Sequence, residues 1–467
     1  MSIKNEPRFA AALRHICEST DYLFFTKSWR GLNAFSDPWF DFASMQRCID
    51  HCDSPHKETF RLLALGIGAK KAALCAELDP ADVDLMLESG IWRGEEDRVE
   101  TNNYVVVGYQ GLLLLTEINP WFPTCTNPDT DVYIGSDSFR LAENITFQRG
   151  AAVLDLCSGT GIQGLLAARS AAKVVSVELN EKAVPVTLLN IRLNGLEDRM
   201  EVRQGDLYTV LKPEERFDCI YANPPFIPMT DDVSYPICGA GGEDGLTVLN
   251  RIADGAGKVL NPGGKIVLFC ECLGNAEEVF FDRRLSVLGA ENGWRITELQ
   301  VNRLEGDYQI LRLAGLTRLF NRDGFDEAGF IQHLQEIYKR LGATYLYHLV
   351  YHIRADGAGT GNIVKIAQYN PWDMADTAQV LSYTGENTAS KGLWKDGKQI
   401  GSCNRETERI LSVLREGKTL RETAEALWPE VSGKKKYAKE GYPAFLYTVM
   451  QTALHLEQTG AVSRGKL

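Results

Sequence analysis

From about residue 150 the chain repeats one rhythm, an apolar run, a glycine or acidic turn and a helical pattern, and few folds accept it. Ala152–Leu156 is apolar and ends in glycine-rich sequence, with helical periodicity over 162–170. A second strand is expected over 174–178 and a second helix over 181–194, closed by Gly195. Residues 201–204 read as a third strand, and 219–222 as a fourth that two prolines stop. A helix over 245–260, carrying Leu246, Leu249, Ile252 and Val259, leads to a fifth strand over 264–270. Strands alternating with helices at this spacing predict an α/β fold, a parallel sheet covered by helices on both faces. Ligands of such sheets bind beyond the carboxyl ends of the strands.

Four regions are expected: 1–57, helical and rich in aromatics (Tyr22, Phe24, Phe25, Trp29, Phe35, Trp39, Phe40); 58–128; 129–370, holding the sheet; and 371–467, mostly helical. Within 58–128, helices over 58–66, 70–78 and one after Asp79–Pro80 precede two apolar runs, 102–107 and 111–118. Three short helices and a hairpin make a winged-helix-like pattern, which serves either nucleic-acid binding or substrate capping. A linker is expected from Asn119–Pro120 through Pro128. Later, strands over 294–304, 345–353 and 362–368 surround a helix over 326–341, the last two strands reading as an antiparallel hairpin.

The net charge of −12 works against broad contact with a phosphate backbone, so a nucleic-acid partner would need a local basic patch. The stretch with Lys434, Lys435, Lys436 and Lys439 reads as a solvated loop. No apolar run reaches the roughly eighteen residues of a membrane span, since Gly108, Gln110 and Gly111 interrupt Val105 to Leu115. The start lacks the apolar core of a secretion signal, so a cytoplasmic chain with reduced cysteines is expected. Cys48, His51, Cys52 and His56 do not have a usual zinc spacing, and Phe42, Met45, Ile49 and Cys52 share a helix face, so no metal is expected there.

The turn after the first strand, Asp155-Leu-Cys-Ser-Gly159-Thr-Gly161, lets a cofactor approach the backbone where side chains would obstruct it. Asp155 can accept from an ammonium group, Glu178 from two ribose hydroxyls, and Asp206 from an adenine amino group. Cys157, Leu179 and Leu207 flank these acids and complete the expected cofactor contacts, with Asn223 at their edge. Gly159, Gly161 and Gly164 also spell the dinucleotide fingerprint. Asp155 before the first glycine, Asp206 after the third strand and Asn-Pro-Pro-Phe after the fourth favour S-adenosylmethionine (SAM) instead, because a pyrophosphate would be repelled by Asp155.

Asn223-Pro224-Pro225-Phe226 is the most specific signal in the chain. An amide or aromatic amino nitrogen has a delocalised lone pair and is a poor nucleophile. The Asn223 side-chain carbonyl and the Pro224 backbone carbonyl can accept both of its N–H groups and favour pyramidalisation. Two prolines supply carbonyls without competing donors, Pro225 shaping the acceptor side. Phe226 can stack on the planar group. Tyr133, Asp137 and Ser138 are candidate lid residues, Tyr133 as a substrate contact.

In these motifs the chain resembles the class I methyltransferases with an N-P-P-[FY] motif, which include release-factor glutamine and nucleic-acid amino methyltransferases. Gly241-Gly242-Glu243-Asp244-Gly245-Leu246 is similar to the G-G-x-D-G-L segment of the glutamine branch. The resemblance implies a seven-stranded Rossmann-like SAM-binding sheet and N-methylation at a planar nitrogen of a small metabolite or a protein glutamine. The alternatives are a nucleic-acid base methyltransferase, with Phe226 stacking on a flipped base, and a non-catalytic SAM-binding sensor.

Overall fold

The computed structural model describes residues 3–27, 42–120, 122–127, 130–229, 235–321 and 325–367, then 381–383, 386–387, 392–395, 398–402, 404–434, 437, 441–458 and 462–464. Trp29, Phe35, Trp39, Phe40, Pro128, Gln368, Lys435, Lys436 and Lys439 lie outside the described residues. The chain divides into two compact units, residues 1–300 with 310–366, and residues 301–309 with 367–467.

The sheet strands are β1 (Ala152–Leu156), β2 (Lys173–Glu178), β3 (Met200–Gln204), β4 (Phe217–Ala222), β5 (Leu260–Gly274), β6 (Arg295–Glu305), β7 (Tyr345–Arg354) and β8 (Ile363–Ala367). Their spatial order is β8-β6-β7-β5-β4-β1-β2-β3. The strands from β5 to β3 are mutually parallel, whereas β7 runs antiparallel to β5. The sheet is therefore mixed and has eight strands, not the seven expected. The expected hairpin of 345–353 with 362–368 does not form, because β6 lies between β7 and β8.

Val153, Leu154 and Leu156 of β1 and Val174, Val175 and Val177 of β2 are buried, as continuous apolar runs require when helices cover both faces. The helices of this region are α1 (Ser136–Asn144), α2 (Ile162–Ala168), α3 (Ala183–Leu193), α4 (Thr247–Val259), α5 (Phe280–Asn292), α6 (Gly306–Phe320) and α7 (Glu327–Leu341). Parallel neighbours need such crossovers, and each crossover leaves its preceding turn at the carboxyl edge of the sheet.

Ahead of the sheet, helices Lys57–Leu65, Lys71–Glu77 and Pro80–Ser89 form near their expected places. The hairpin that follows them is Trp92–Glu95 with Arg98–Thr101, joined by Ala69–Lys70 into a three-stranded sheet. The hairpin expected as the wing, Tyr104–Tyr109 with Leu112–Glu117, is a separate two-stranded ribbon. Its Leu112–Glu117 strand is sealed by two asparagines at i and i+4 on or beside α3. Asn190 Nδ2 donates to the Leu115 carbonyl at 2.9 Å, and Leu115 N–H donates to Asn190 Oδ1 at 2.7 Å. Asn194 makes the same pair with Leu113. The ribbon is thus part of the wall around the sheet.

Helix Phe42–His51 buries Met45 and Ile49, and the Cys52 thiol donates to the Ile49 carbonyl. In the second unit, helices Arg405–Leu414, Leu420–Val431 and Gly441–Gln458 enclose Ile410, Leu427, Phe445 and Val449. Leu381–Tyr383 pairs with Val462–Arg464, adding strands to a region expected to be mostly helical. Among the described residues no helix is long and apolar enough to cross a membrane.

Candidate active site

An open cleft of about 680 Å³ lies at the carboxyl ends of β1 to β4. Cys157, Gly159, Glu178, Leu179, Asp206, Leu207, Asn223 and Pro225 line it, so most of the sequence-derived set converges on one place. Asp155, Gly161, Pro224, Phe226 and Tyr133 do not line it. Asp131, Arg251, Ile237 and Cys238 do, and no sequence signal marked them.

The β1 turn is shaped by backbone that reverses sharply. Cys157 has φ 56°, Gly159 55° and Gly161 83°. A Cβ on Gly159 would meet nothing within 4 Å and would project into space a ligand could use. Gly164 serves packing instead, since a Cβ there would lie 2.7 Å from Ser176 Oγ and 2.8 Å from Asp155 Oδ2. That contact explains the third glycine of the apparent dinucleotide fingerprint without a pyrophosphate.

Asp155 is 1% exposed, and its Oδ2 accepts from Ser176 Oγ at 3.0 Å and Gly164 N–H at 3.1 Å. Burial pushes its carboxyl up to about 7. Glu178 Oε2 accepts from Gly159 N–H at 2.7 Å and Oε1 from Asn180 N–H at 2.8 Å. Burial raises this carboxyl too, against the pull of the backbone donors. Glu178 thus ties the glycine turn to β2 while lining the cleft. Asp206 forms an ion pair with Arg251 of α4 at 2.7 Å.

Asn223 follows β4. Its Nδ2 donates to Asp137 Oδ2 and, at 3.3 Å, to Ser138 Oγ, both at the start of α1. A carboxylate only accepts, so this contact assigns which end of the amide is nitrogen. The opposite end, Oδ1, is buried and has no hydrogen-bond partner among the described residues. Asp137 and Ser138, expected as lid residues, hold the motif's asparagine instead. Phe226 is 8% exposed, with its ring 5.7 Å from that of Phe269 on β5.

The Gly241–Leu246 segment clamps the motif. Ile227 N–H donates to the Gly239 carbonyl, Gly241 N–H to the Ile227 carbonyl, and Met229 N–H to the Gly242 carbonyl. Gly245 has φ 76°, and a Cβ there would sit 2.3 Å from the Phe226 carbonyl oxygen. Only glycine lets this loop close on the motif's backbone.

Residues 133–296 match the family model described as the methyltransferase small domain, a stretch that holds the glycine turn, Glu178, Asp206, Asn223 and the clamp. Over that core the chain is similar to methyltransferases. The release factor glutamine methyltransferase of Clostridium acetobutylicum is 36% identical over 153 residues, 30% of this chain and 52% of that protein. The ribosomal protein uL3 glutamine methyltransferase of Bordetella pertussis is 34% identical over 125 residues, 25% of this chain and 42% of that protein. The chain spans about half the length of the curated relatives it matches. Among solved structures, the M. jannaschii tRNA m1G37 methyltransferase aligns at 14% identity over 59% of this chain and 65% of that one. Its TM-score of 0.33 is too low to bear on the chemistry.

Proposed function

We propose that this protein is a SAM-dependent N-methyltransferase acting on a planar nitrogen, of the kind a glutamine amide presents. The observation that carries the proposal is the Asn223 amide, held at its nitrogen by Asp137 and Ser138 with its oxygen buried and unpartnered. An unmet buried acceptor costs about 1–3 kcal/mol, and an incoming N–H group relieves that cost. The relatives named for glutamine methylation support an amide acceptor.

The residues divide the work. Glu178 accepts from the ribose hydroxyls, Gly159 leaves room for the cofactor, and Asp206 with Arg251 borders the adenine end. SAM supplies an electrophilic methyl group on a sulfonium. Asn223 Oδ1 and the Pro224 carbonyl hold the two N–H groups of the acceptor, orienting its lone pair for in-line attack. The proton leaves from an already acidified product nitrogen, so no strong base is required.

Glu178→Ala is expected to weaken SAM binding by about 1–3 kcal/mol, as for loss of a charged hydrogen bond. Calorimetry checks this, and unchanged affinity would place the ribose elsewhere. The function itself is tested by incubating the full chain with methyl-labelled SAM and separate small-molecule, protein and RNA fractions. Label in the first two supports the proposal. Label confined to RNA would make it a base methyltransferase, and SAM binding without transfer would make it a sensor.

A further inference from the structure

A second polar cluster lies beside the motif, beyond the cofactor cleft. Glu271 of β5 stands opposite His348 of β7 in the sheet register, with 3.4 Å between Oε1 and Nε2. Arg312 of α6 reaches Glu271 Oε2 with Nη2, also at 3.4 Å. Tyr338 of α7 is 4% exposed and near enough to Glu271 and Arg312 for their charges to reach it. Helix α1, which carries Asp137 and Ser138, packs against β5, and Glu271 of β5 is close enough to Asp137 and Tyr133 for its charge to oppose their ionisation.

The donors of this cluster are unmet. Arg312 Nε, His348 Nε2 and Tyr338 Oη are buried without hydrogen-bond partners among the described residues. The one acid between them is engaged only at the long limit of a hydrogen bond. Leaving a buried polar group unsatisfied costs about 1–3 kcal/mol, so three together are expensive to retain without a ligand. The helices are held here independently of that cluster. Leu313 and Ala314 of α6 and Leu334 and Ile337 of α7 pack with Leu273, Met229 and Leu346, the same core that anchors Ile227 and Tyr235 after the motif.

We propose that Arg312, Tyr338 and His348 form a subsite for the carboxylate of a small acceptor whose planar nitrogen lies against Asn223. A guanidinium and a phenol are suited to a carboxylate, which accepts several hydrogen bonds at once. Glu271 takes Nη2 of the Arg312 guanidinium, leaving the Nε–H for the ligand. Burial lowers the affinity of His348 for a proton, so the ring stays neutral near pH 7 and contributes one N–H donor. The charge of Glu271 reaches Tyr133, Tyr235 and Asp137, and that of Arg140 reaches His348 and opposes its protonation. The depth of Tyr338 favours a detached small molecule over a side chain on a protein loop. The inference rests on the N-methyltransferase reading.

The test uses the full chain, methyl-labelled SAM and separate small-molecule, protein and RNA fractions of the source cells, half of the small-molecule fraction esterified with acidified ethanol. The expected label is in molecules retained by an anion exchanger, falling at least tenfold after esterification. Arg312→Met should raise the extract concentration for half-maximal rate at least tenfold, with kcat changing less and calorimetric SAM affinity unchanged. Arg312→Lys should fall between, keeping the charge without the Nε donor. Label that survives esterification, appears only in protein, or is indifferent to Arg312 overturns the carboxylate subsite and leaves N-methylation standing. Absence of transfer to any fraction overturns the methyltransferase reading and this inference with it.

Discussion

Asn223→Ala should lower kcat by about 10²–10³-fold, the usual loss when one preorganised hydrogen-bonding group is removed from a reacting centre. SAM affinity should change by less than about twofold, because the cofactor contacts assigned to Glu178, Gly159 and Asp206 remain. Asp137→Ala should reproduce part of that loss. Its carboxylate touches the amide nitrogen of Asn223 and points the oxygen toward the acceptor, so without it the amide can rotate. Because Asp137 acts through Asn223, the double variant should be no slower than Asn223→Ala alone, and the free energies should be far from additive. Single-turnover rates with bound SAM measured separately check all three. An equal fall in SAM affinity in Asn223→Ala would move Asn223 from the acceptor to the cofactor. A double variant slower by the product of both factors would give Asp137 a role of its own.

The contrast between Asn223 and its partner also shows what a sequence can carry. Asn-Pro-Pro-Phe is contiguous, and its chemistry follows from the residue types in order. Asp137 lies 86 positions earlier, and nothing local distinguishes it from any acid in the first turn of a helix. Glu178 is legible because it ends an apolar run, and Asp206 because it follows the glycine that closes the short third strand. Arg251 is not, since its importance comes from α4 bringing it against Asp206.

The same distinction separates the legible strands from the illegible ones. β1 and β4 are nearly all apolar and β2 carries three buried valines, each bounded by glycine, acid or proline, which suits strands buried on both faces. The Trp92–Thr101 hairpin is illegible because Arg-Gly-Glu-Glu-Asp-Arg offers no alternation, its turn resting on Glu96 at φ 55°. β8 reads as a strand in the sequence, but its neighbour does not follow from it. Pairing across a sheet is non-local, and insertion of β6 between β7 and β8 leaves no mark within either. β5 is longer than the expected 264–270: it continues to Gly274, and Leu260 pairs with β4 across a break in register at Asn261-Pro262-Gly263-Gly264, where Gly263 has φ 79°.

Asp155 should make the ligand-free protein less stable as pH rises toward neutrality. Its carboxyl titrates near 7 in the folded chain, raised by burial, and near 4 when unfolded. Between those values the folded state holds a proton that the unfolded state has released. Stability therefore falls with rising pH through that window, the reverse of an ion-paired aspartate. The contribution is fully present below about pH 4, and its loss between pH 5 and 8 is on the order of 3 kcal/mol. Glu178, Asp137, Glu117 and Glu298 are raised as well and add slopes of the same sign, so the wild-type profile alone does not isolate Asp155. The comparison that does is with Asp155→Asn, whose amide oxygen can still accept from Ser176 Oγ and Gly164 N–H. Denaturant unfolding of both proteins at pH 5 and pH 8 should show their stability difference shifting by about 3 kcal/mol in favour of the asparagine variant at the higher pH. A difference that does not move would mean that Asp155 is already ionised in the folded chain at pH 5. Its charge would then be balanced in the fold, and the β1 turn would present a negative end to the cofactor at every working pH.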